Sequence, residues 1–241
     1  SHYTLVDLRN LCIPATPEIK KALALILATS IGPDGGINPS KDIEQSDVCI
    51  NGMFLNYGCY FGTDEEKLRS VVDFIVSQQL ADGGFNCRLN RSGARHSSMH
   101  STISVLEGIR EYIAAGYAFR AEELKRIEGE AQEFLLRHRL FKSDHTGAVI
   151  HPSFLKLVYP PRWRYDILRA LDYFQSVGYP YDERLQDALD ILKEKRLSDG
   201  RWKTQAHHPG EVHFQMEQAG KPSRWSTLRC LRVLEYYDRD A

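Results

Sequence analysis

The chain has 241 residues, 42% of them hydrophobic and 26% charged, and this length can bury a sizeable core as one domain. Its 31 basic and 32 acidic residues leave a formal charge of -1, so the composition gives no sign of a nucleic-acid partner. Because residues 1–10 lack the pattern of a signal peptide and no apolar run approaches the roughly 20 residues of a membrane span, we expect one cytoplasmic domain over residues 1–241 without a membrane span.

A short turn motif of Asp, Gly, any residue and an apolar residue recurs along the chain. Its copies are Asp34-Gly35-Gly36-Ile37, Asp82-Gly83-Gly84-Phe85 and Asp199-Gly200-Arg201-Trp202, with a degenerate copy at Asp144-His145-Thr146-Gly147. One Asp-Gly turn says little, because such pairs form turns in all kinds of protein. Recurrence before similar apolar segments predicts a structural repeat.

An amphipathic helix is predicted before each turn. The first lies around Ile19 to Ala28. In the other three, apolar residues recur with the helical period: Leu68, Val71, Val72 and Ile75; Leu124, Ile127, Ala131 and Leu135; Leu185, Ala188, Leu189 and Leu192. Thr63 and Glu66 are spaced as a capping box, which predicts where the second of these helices begins. A single apolar stripe implies outer, half-exposed helices.

The segments after the turns are apolar nearly all round, which is typical of buried helices. They cover residues 48–61, 99–112, 165–174 and 226–237. They can be aligned by one leucine each: Leu55, Leu106, Leu168 and Leu231. An outer helix, a turn and an inner helix, repeated along the chain, predict an all-α fold. We expect an α/α toroid, a solenoid of about four helical hairpins whose inner helices line a central cavity.

The same alignment gives one equivalent residue near the start of each inner helix: Cys49, His100, Arg162 and Trp225. Two of these are of zinc-ligand type, and Asp47 stands just before Cys49. Three protein ligands would leave the fourth position of zinc open, as in catalytic sites. Taken singly, the residues have simpler interpretations, since a buried Cys fills space, an Asp caps a helix and a His forms packed hydrogen bonds. Their joint placement favours metal binding.

The number of cysteines agrees with a thiolate ligand. There are five of them: Cys12, Cys49, Cys59, Cys87 and Cys230. An odd number in a chain of this size argues against a disulfide framework. The start of a helix also favours the thiolate form that a metal needs.

The residues around this constellation resemble the β-subunit of protein prenyltransferases. The similar stretches are Ser46-Asp47-Val48-Cys49, residues 64–70, Gln78-Gln79, Asp82-Gly83-Gly84-Phe85, Met99-His100-Ser101-Thr102 and Leu106-Glu107-Gly108. The resemblance implies an α/α toroid in which Asp47, Cys49 and His100 bind zinc, and the zinc activates a thiol that receives an isoprenoid. As a repeat architecture, the chain is similar also to squalene-cyclase-type toroids.

The chain departs from the prenyltransferase pattern around the expected substrate. Lys41 matches the first residue of a basic pair that helps to hold the diphosphate in the family, whereas Glu44 stands at the second position. Ile50 and Met53 replace aromatic residues that line the isoprenoid pocket of the family. The resemblance therefore implies Lys41 as a substrate-binding residue and leaves the substrate open between anionic and isoprenoid compounds.

Further polar and aromatic residues are expected on the rim of the metal site. The loop before the last inner helix carries His207, His208 and His213, which we interpret as a fourth ligand, a general base or lid residues, or else as a solvated loop. Basic residues there suit an anionic substrate unless they pair with local acids: Arg91, Arg95, Arg162, Arg164, Arg201, Lys203 and Arg224. The aromatic residues form either a pocket wall or core: Trp163, Trp202, Trp225, Tyr159 and Tyr165.

These features lead to one leading hypothesis and two alternatives. The leading hypothesis is a zinc-dependent, prenyltransferase-like transferase that activates a thiol or water at the ion. The alternatives are a terpene-cyclase-like enzyme without zinc and a non-catalytic helical-repeat binding module. Since four hairpins are few for a closed ring, we expect the open repeat ends, around residues 19–28 and 228–236, to be covered by irregular terminal segments, by a second copy or by another partner chain.

Overall fold

The computed structural model describes residues 2–40, 43–88, 92–205 and 214–238. Within these ranges the chain forms nine α-helices and one short two-stranded sheet, so the all-α prediction is confirmed. The contacts group into two compact units, Ser1–Phe134 and Leu135–Ala241. None of the described helices is long and apolar enough to cross a membrane.

The regular elements of unit 1 are all helices within the described residues. Its elements are α1 (His2–Asn10), α2 (Pro17–Thr29), α3 (Val48–Tyr60), α4 (Glu65–Ser77), α5 (Met99–Ala114) and most of α6 (Ala121–Arg137). Two predicted turns separate α2 from α3 and α4 from α5, as the repeat requires. Helix α1 precedes the predicted repeats. It packs against α3, and its Leu5 and Val6 are buried.

Helices α3 and α5 are the buried pair at the centre of unit 1. Leu55 and Leu106, the leucines that align the repeats, are completely buried. The helices approach closely because Gly52 has no side chain: a methyl group there would come within 2.6 Å of Val105 N. Gly108 likewise leaves room for the carbonyl of Gly52. Two glycines thus bring the backbones of the inner helices together.

The two turns of unit 1 are built in the same way. In the first, Ser46 donates from its backbone N to Asp34 Oδ2 at 2.7 Å. In the second, Ser97 donates from its backbone N to Asp82 Oδ2 at 2.8 Å. The glycine after each Asp has a positive φ, 82° in Gly35, and this is a conformation that residues with a Cβ rarely adopt. The Asp-Gly motif therefore closes the turn onto the start of the next helix.

Helix α4 begins one residue later than the capping box predicts. It starts at Glu65 with Asp64 as its N-cap residue, so the box on Thr63 and Glu66 is wrong. The Glu65 carboxylate instead accepts hydrogen bonds from Phe119 N at 2.7 Å and from Tyr112 Oη at 3.0 Å. Glu65 therefore makes tertiary contacts with α5 and with the segment that follows it.

Unit 2 contains the second half of the repeats. Its elements are α7 (Ile167–Ser176), α8 (Gln186–Glu194), α9 (Arg224–Asp238), two 3-10 helices (Pro152–Leu155 and Glu183–Leu185) and the antiparallel strands β1 (Trp202–Lys203) and β2 (Pro222–Ser223). The turn that begins at Asp199 separates α8 from α9, and its Gly200 has a φ of 82°. The order of helix, turn and helix therefore continues through unit 2.

The side of α9 that is buried differs from the predicted one. Leu231 is 43% exposed, whereas the other aligned leucines, Leu55 and Leu168 among them, are buried, so its predicted interior position is wrong. The buried face of α9 carries Cys230 and Val233 instead. The physical reason is the helical period: the buried stripe of α9 runs through Ser226, Cys230, Val233 and Tyr237, and Leu231 lies off it. Arg229 pairs with Asp172 of α7 at 3.1 Å.

Candidate functional site

The start of α3 holds two of the three predicted metal ligands. Asp47 is the N-cap residue of α3 with an extended backbone (φ -86°, ψ 122°), but its carboxylate does not cap the helix. The simpler interpretation, in which the Asp47 side chain caps the helix, is therefore wrong. Cys49 is the second residue of the helix and is half-buried.

The third predicted ligand lies at the matching position of the next inner helix. His100 is the second residue of α5, as Cys49 is the second residue of α3. It is half-buried, and its carbonyl accepts a hydrogen bond from Ser104 Oγ at 3.2 Å. Cys49 and His100 therefore occupy equivalent positions in their helices, as the repeat alignment predicted.

Cys87 joins this site, although no motif pointed to it. Its Sγ accepts a hydrogen bond from the backbone N of Cys49 at 3.3 Å and another from Ser101 Oγ at 3.3 Å. In turn its own backbone N donates to Ser101 Oγ at 3.1 Å. The thiol of Cys49 is also hydrogen-bonded to Cys87. We call Asp47, Cys49, Cys87 and Ser101 the cysteine cluster.

The two thiols of the cluster ionise differently because they share a hydrogen bond. That bond lowers the pKa of Cys87, and the Ser101 hydroxyl acts in the same direction. The bond also raises the pKa of Cys49, as does its burial. Asp47 opposes ionisation of both thiols through its own charge.

No ready-made metal site is found in the part of the chain that the structure describes. There, no group of three or more His, Cys, Asp and Glu side chains is arranged to hold an ion. In the cysteine cluster the two thiols influence each other's pKa, and the carboxylate of Asp47 influences both. Sulfur and carboxylate oxygen are donor types that zinc accepts.

The predicted substrate-binding residues of unit 2 form two groups. In one, the guanidinium of Arg164 lies 4.8 Å from the centre of the Trp163 ring, beside Arg162, which has a positive φ of 53°. In the other, Trp225 stacks on Tyr159 at 5.5 Å between ring centres, next to the exposed Arg224. Each group combines a flat ring with a cation.

Other rim residues belong to the core or pair locally. Trp202 is fully buried and donates from Nε1 to the carbonyl of Leu192 at 2.7 Å. Tyr165 is buried as well, so these two are core rather than pocket wall. Arg201 pairs with Asp199 of its own turn at 2.7 Å. Arg95 is exposed on the loop before α5 in unit 1.

Several predicted residues lie outside the described ranges. They are Lys41, Arg91, His207, His208 and His213. Their assignments as substrate-binding or catalytic residues stay predictions.

Comparison with known proteins adds no relative. No protein-family model matches this chain, and no curated protein matches it. The resemblance to prenyltransferase β-subunits therefore stays a prediction from the sequence.

Proposed function

We propose that the chain is a zinc-dependent enzyme of prenyltransferase-like type, in which Asp47, Cys49 and His100 hold the ion. Its substrate would be a thiol-bearing or other small molecule, anionic or isoprenoid in character. The proposal takes the toroid arrangement of the hairpins and a cytoplasmic location from the sequence.

The observation that carries the proposal is the cysteine pair at the start of α3. Cys49 and Cys87 are hydrogen-bonded to each other, and Asp47 lies close enough to influence both. His100 opens the neighbouring helix α5, directly before the Ser101 whose hydroxyl contacts Cys87 Sγ. Thiolate, carboxylate and imidazole form a donor set that suits zinc. Binding requires these side chains to rotate toward the ion.

The chemistry of such a site divides between the ion and the chain. Zinc, when bound, lowers the pKa of a thiol or water in its open position. In the chain, the backbone N–H of Ile50 at the start of α3 opposes the rise in the pKa of Cys49. Loss of the Cys49 proton would break the thiol hydrogen bond to Cys87 and make the sulfur available as a ligand. Within unit 2, the ring of Trp163 and the guanidinium of Arg164 would suit an apolar group with an anionic end.

Metal analysis of the wild-type chain and of Cys49→Ser tests the proposal. We expect one zinc per wild-type chain when the protein is purified without added metal. Serine replaces a soft, charged ligand by a hydroxyl that is poorly ionised near neutral pH, so Cys49→Ser should lose most of the zinc. His100→Ala should lose it as well, because it removes an imidazole.

Cys59 provides the matched control. It lies on the same helix as Cys49, ten residues and about 15 Å further along. It is buried, as expected for a cysteine that only fills space. Cys59→Ser should therefore keep its zinc. Wild-type protein without zinc would leave the cyclase-like and binding-module alternatives, and equal zinc in both serine variants would show that Cys49 is a core residue.

A further inference from the structure

Two cysteines from different repeats of unit 1 lie side by side. The backbone N of Cys49 donates to Cys87 Sγ at 3.3 Å, and the thiol of Cys49 is hydrogen-bonded to the same residue. The Cα of Cys49 lies within about 4.8 Å of Cys87 Sγ, since the N–Cα bond adds only about 1.5 Å to that contact. This separation suits a disulfide, whose Cα atoms are about 4.4–6.8 Å apart, because Cys87 Sγ is only two bonds from its own Cα.

The loop that carries Cys87 is held in place on both sides of the cysteine. Phe85 N donates to Thr102 Oγ1 at 3.0 Å, which ties the loop to α5. Asn86 Nδ2 donates to the carbonyl of His96 at 2.8 Å and closes the loop from the other side. Because Cys49 belongs to helix α3, both cysteines are positioned by the fold and stay close together.

Exposure distinguishes this pair from the other cysteines. Cys49 and Cys87 are half-buried, which leaves part of each residue open to a small oxidant. Cys59 and Cys230 are buried, as cysteines that fill space usually are. Cys12 is exposed, but it follows α1 and belongs to neither inner helix. Proximity and access are thus combined in Cys49 and Cys87.

The turn itself does not require a cysteine. The first repeat builds the same Asp-Gly-Gly turn, and its Asp34 accepts from Ser46 N as Asp82 accepts from Ser97 N. Counted from the Asp of each turn, Pro39 stands in the first repeat where Cys87 stands in the second. The thiol of Cys87 is therefore an addition to this repeat, beside a helix start that already has a cysteine.

We propose that Cys49 and Cys87 form a reversible disulfide when the protein meets a peroxide. One thiol sulfur attacks a peroxide oxygen, the O–O bond breaks, and a sulfenic acid and a first water form. The other sulfur attacks the sulfenic sulfur, so that the S–S bond forms, the S–O bond breaks and a second water leaves. Two thiols together lose two hydrogens and two electrons, and one hydrogen peroxide becomes two waters.

The disulfide acts as a redox switch at the start of α3. It ties this inner helix to the loop that precedes the next one. Disulfides of cytosolic proteins are usually transient, catalytic or redox-sensing, which fits a reversible pair at the cytoplasmic location proposed above. The inference does not depend on the proposed zinc site, because the disulfide forms without an ion. Oxidation only makes Cys49 unavailable as a ligand.

Peptide mapping of the oxidised wild-type chain tests this inference. The protein receives one equivalent of hydrogen peroxide with a chelator present, and is then alkylated, digested without reductant and analysed by mass spectrometry. We expect the fragment with Cys49 to be joined to the fragment with Cys87, and two of the five thiols to escape alkylation. Chymotrypsin distinguishes Cys49 from Cys59, because it cuts after Phe54 and Tyr57 between them. A reductant should restore both thiols.

Cys59→Ser is the matched control, since it removes a cysteine of the same helix and should keep the cross-link. Cys49→Ser and Cys87→Ser should each abolish it, and circular dichroism checks that the variants fold. Oxidised wild-type protein without this cross-link, or with other cysteines joined in its place, would overturn the inference without recourse to any variant. The chelator keeps metal ions away, so this result stands whether or not the zinc proposal holds.

Discussion

His2 is a largely buried histidine at the start of α1. Its Nδ1 lies 2.5 Å from the hydroxyl of Tyr57, which is fully buried in α3. Burial lowers the pKa of His2 from 6.5 to about 4, because the charged ring loses its water. The contact between α1 and α3 therefore depends on a neutral imidazole.

This buried histidine predicts a pH dependence of stability. Between pH 6.5 and 4 the unfolded chain binds the His2 proton and the folded chain does not, so the free energy of unfolding falls as the pH falls through this window. The loss amounts to about 3 kcal/mol at most when complete. We expect His2→Gln, which cannot titrate, to show a smaller decrease in urea midpoint from pH 7 to pH 4.

An exposed histidine serves as the control for this measurement. The side chain of His145 is 90% exposed and lies far from the contact of α1 with α3 in the sequence. His145→Gln should keep the pH dependence of the wild-type chain. If His2→Gln and His145→Gln behave alike, the decrease at low pH belongs to the carboxyl groups instead.

The cysteine cluster depends on the close packing of helix α3 against helix α5. A methyl group at Gly52 would come within 2.6 Å of Val105 N, and backbone atoms cannot move aside as a flexible side chain can. We expect Gly52→Ala to push the helices apart and to lower the free energy of unfolding by about 1–3 kcal/mol or more, as overpacking does. Urea unfolding followed by circular dichroism measures the change.

Gly129 is the matched control for the same substitution. It lies within α6, and a methyl group there would meet no atom within 4 Å. Alanine has the higher helix propensity, so Gly129→Ala should stabilise the chain by about 0.5–1 kcal/mol. Opposite signs for the two substitutions are expected; a neutral Gly52→Ala would show that α3 and α5 do not approach as closely as described.

The sequence predicted the elements better than it predicted their faces. Period and turn motifs identified the helices, because an apolar stripe and an Asp-Gly turn are local features. The inward face of α9 was predicted wrongly because the alignment used Leu231, whereas the buried stripe runs through Cys230, Val233 and Tyr237. Cys87 was missed for a different reason, since its partners Cys49 and Ser101 are distant in sequence. A search for cysteines that follow a repeated turn would have found it.

At the scale of the whole molecule, two helices expose large apolar side chains. Leu25 of α2 is 62% exposed, and Leu228 and Leu231 of α9 are 55% and 43% exposed. These helices are the first outer and the last inner helix of the repeats, the two that were predicted to lack a neighbouring repeat. Terminal repeats of soluble solenoids usually carry a polar outer face. Exposed apolar residues at these positions therefore favour contact with another chain.

We expect the chain to associate with itself through α9. Leu228 and Leu231 lie three positions apart and so share one side of the helix, where a second copy can cover them. Replacing both by Glu should give a monomer in light scattering at concentrations where wild-type protein forms dimers, because each copy would place unpaired charges in the apolar contact. Val149→Glu is the control, since Val149 is 43% exposed but lies outside the helices, and this variant should stay dimeric. A wild-type chain that scatters as a monomer at every concentration would contradict the prediction.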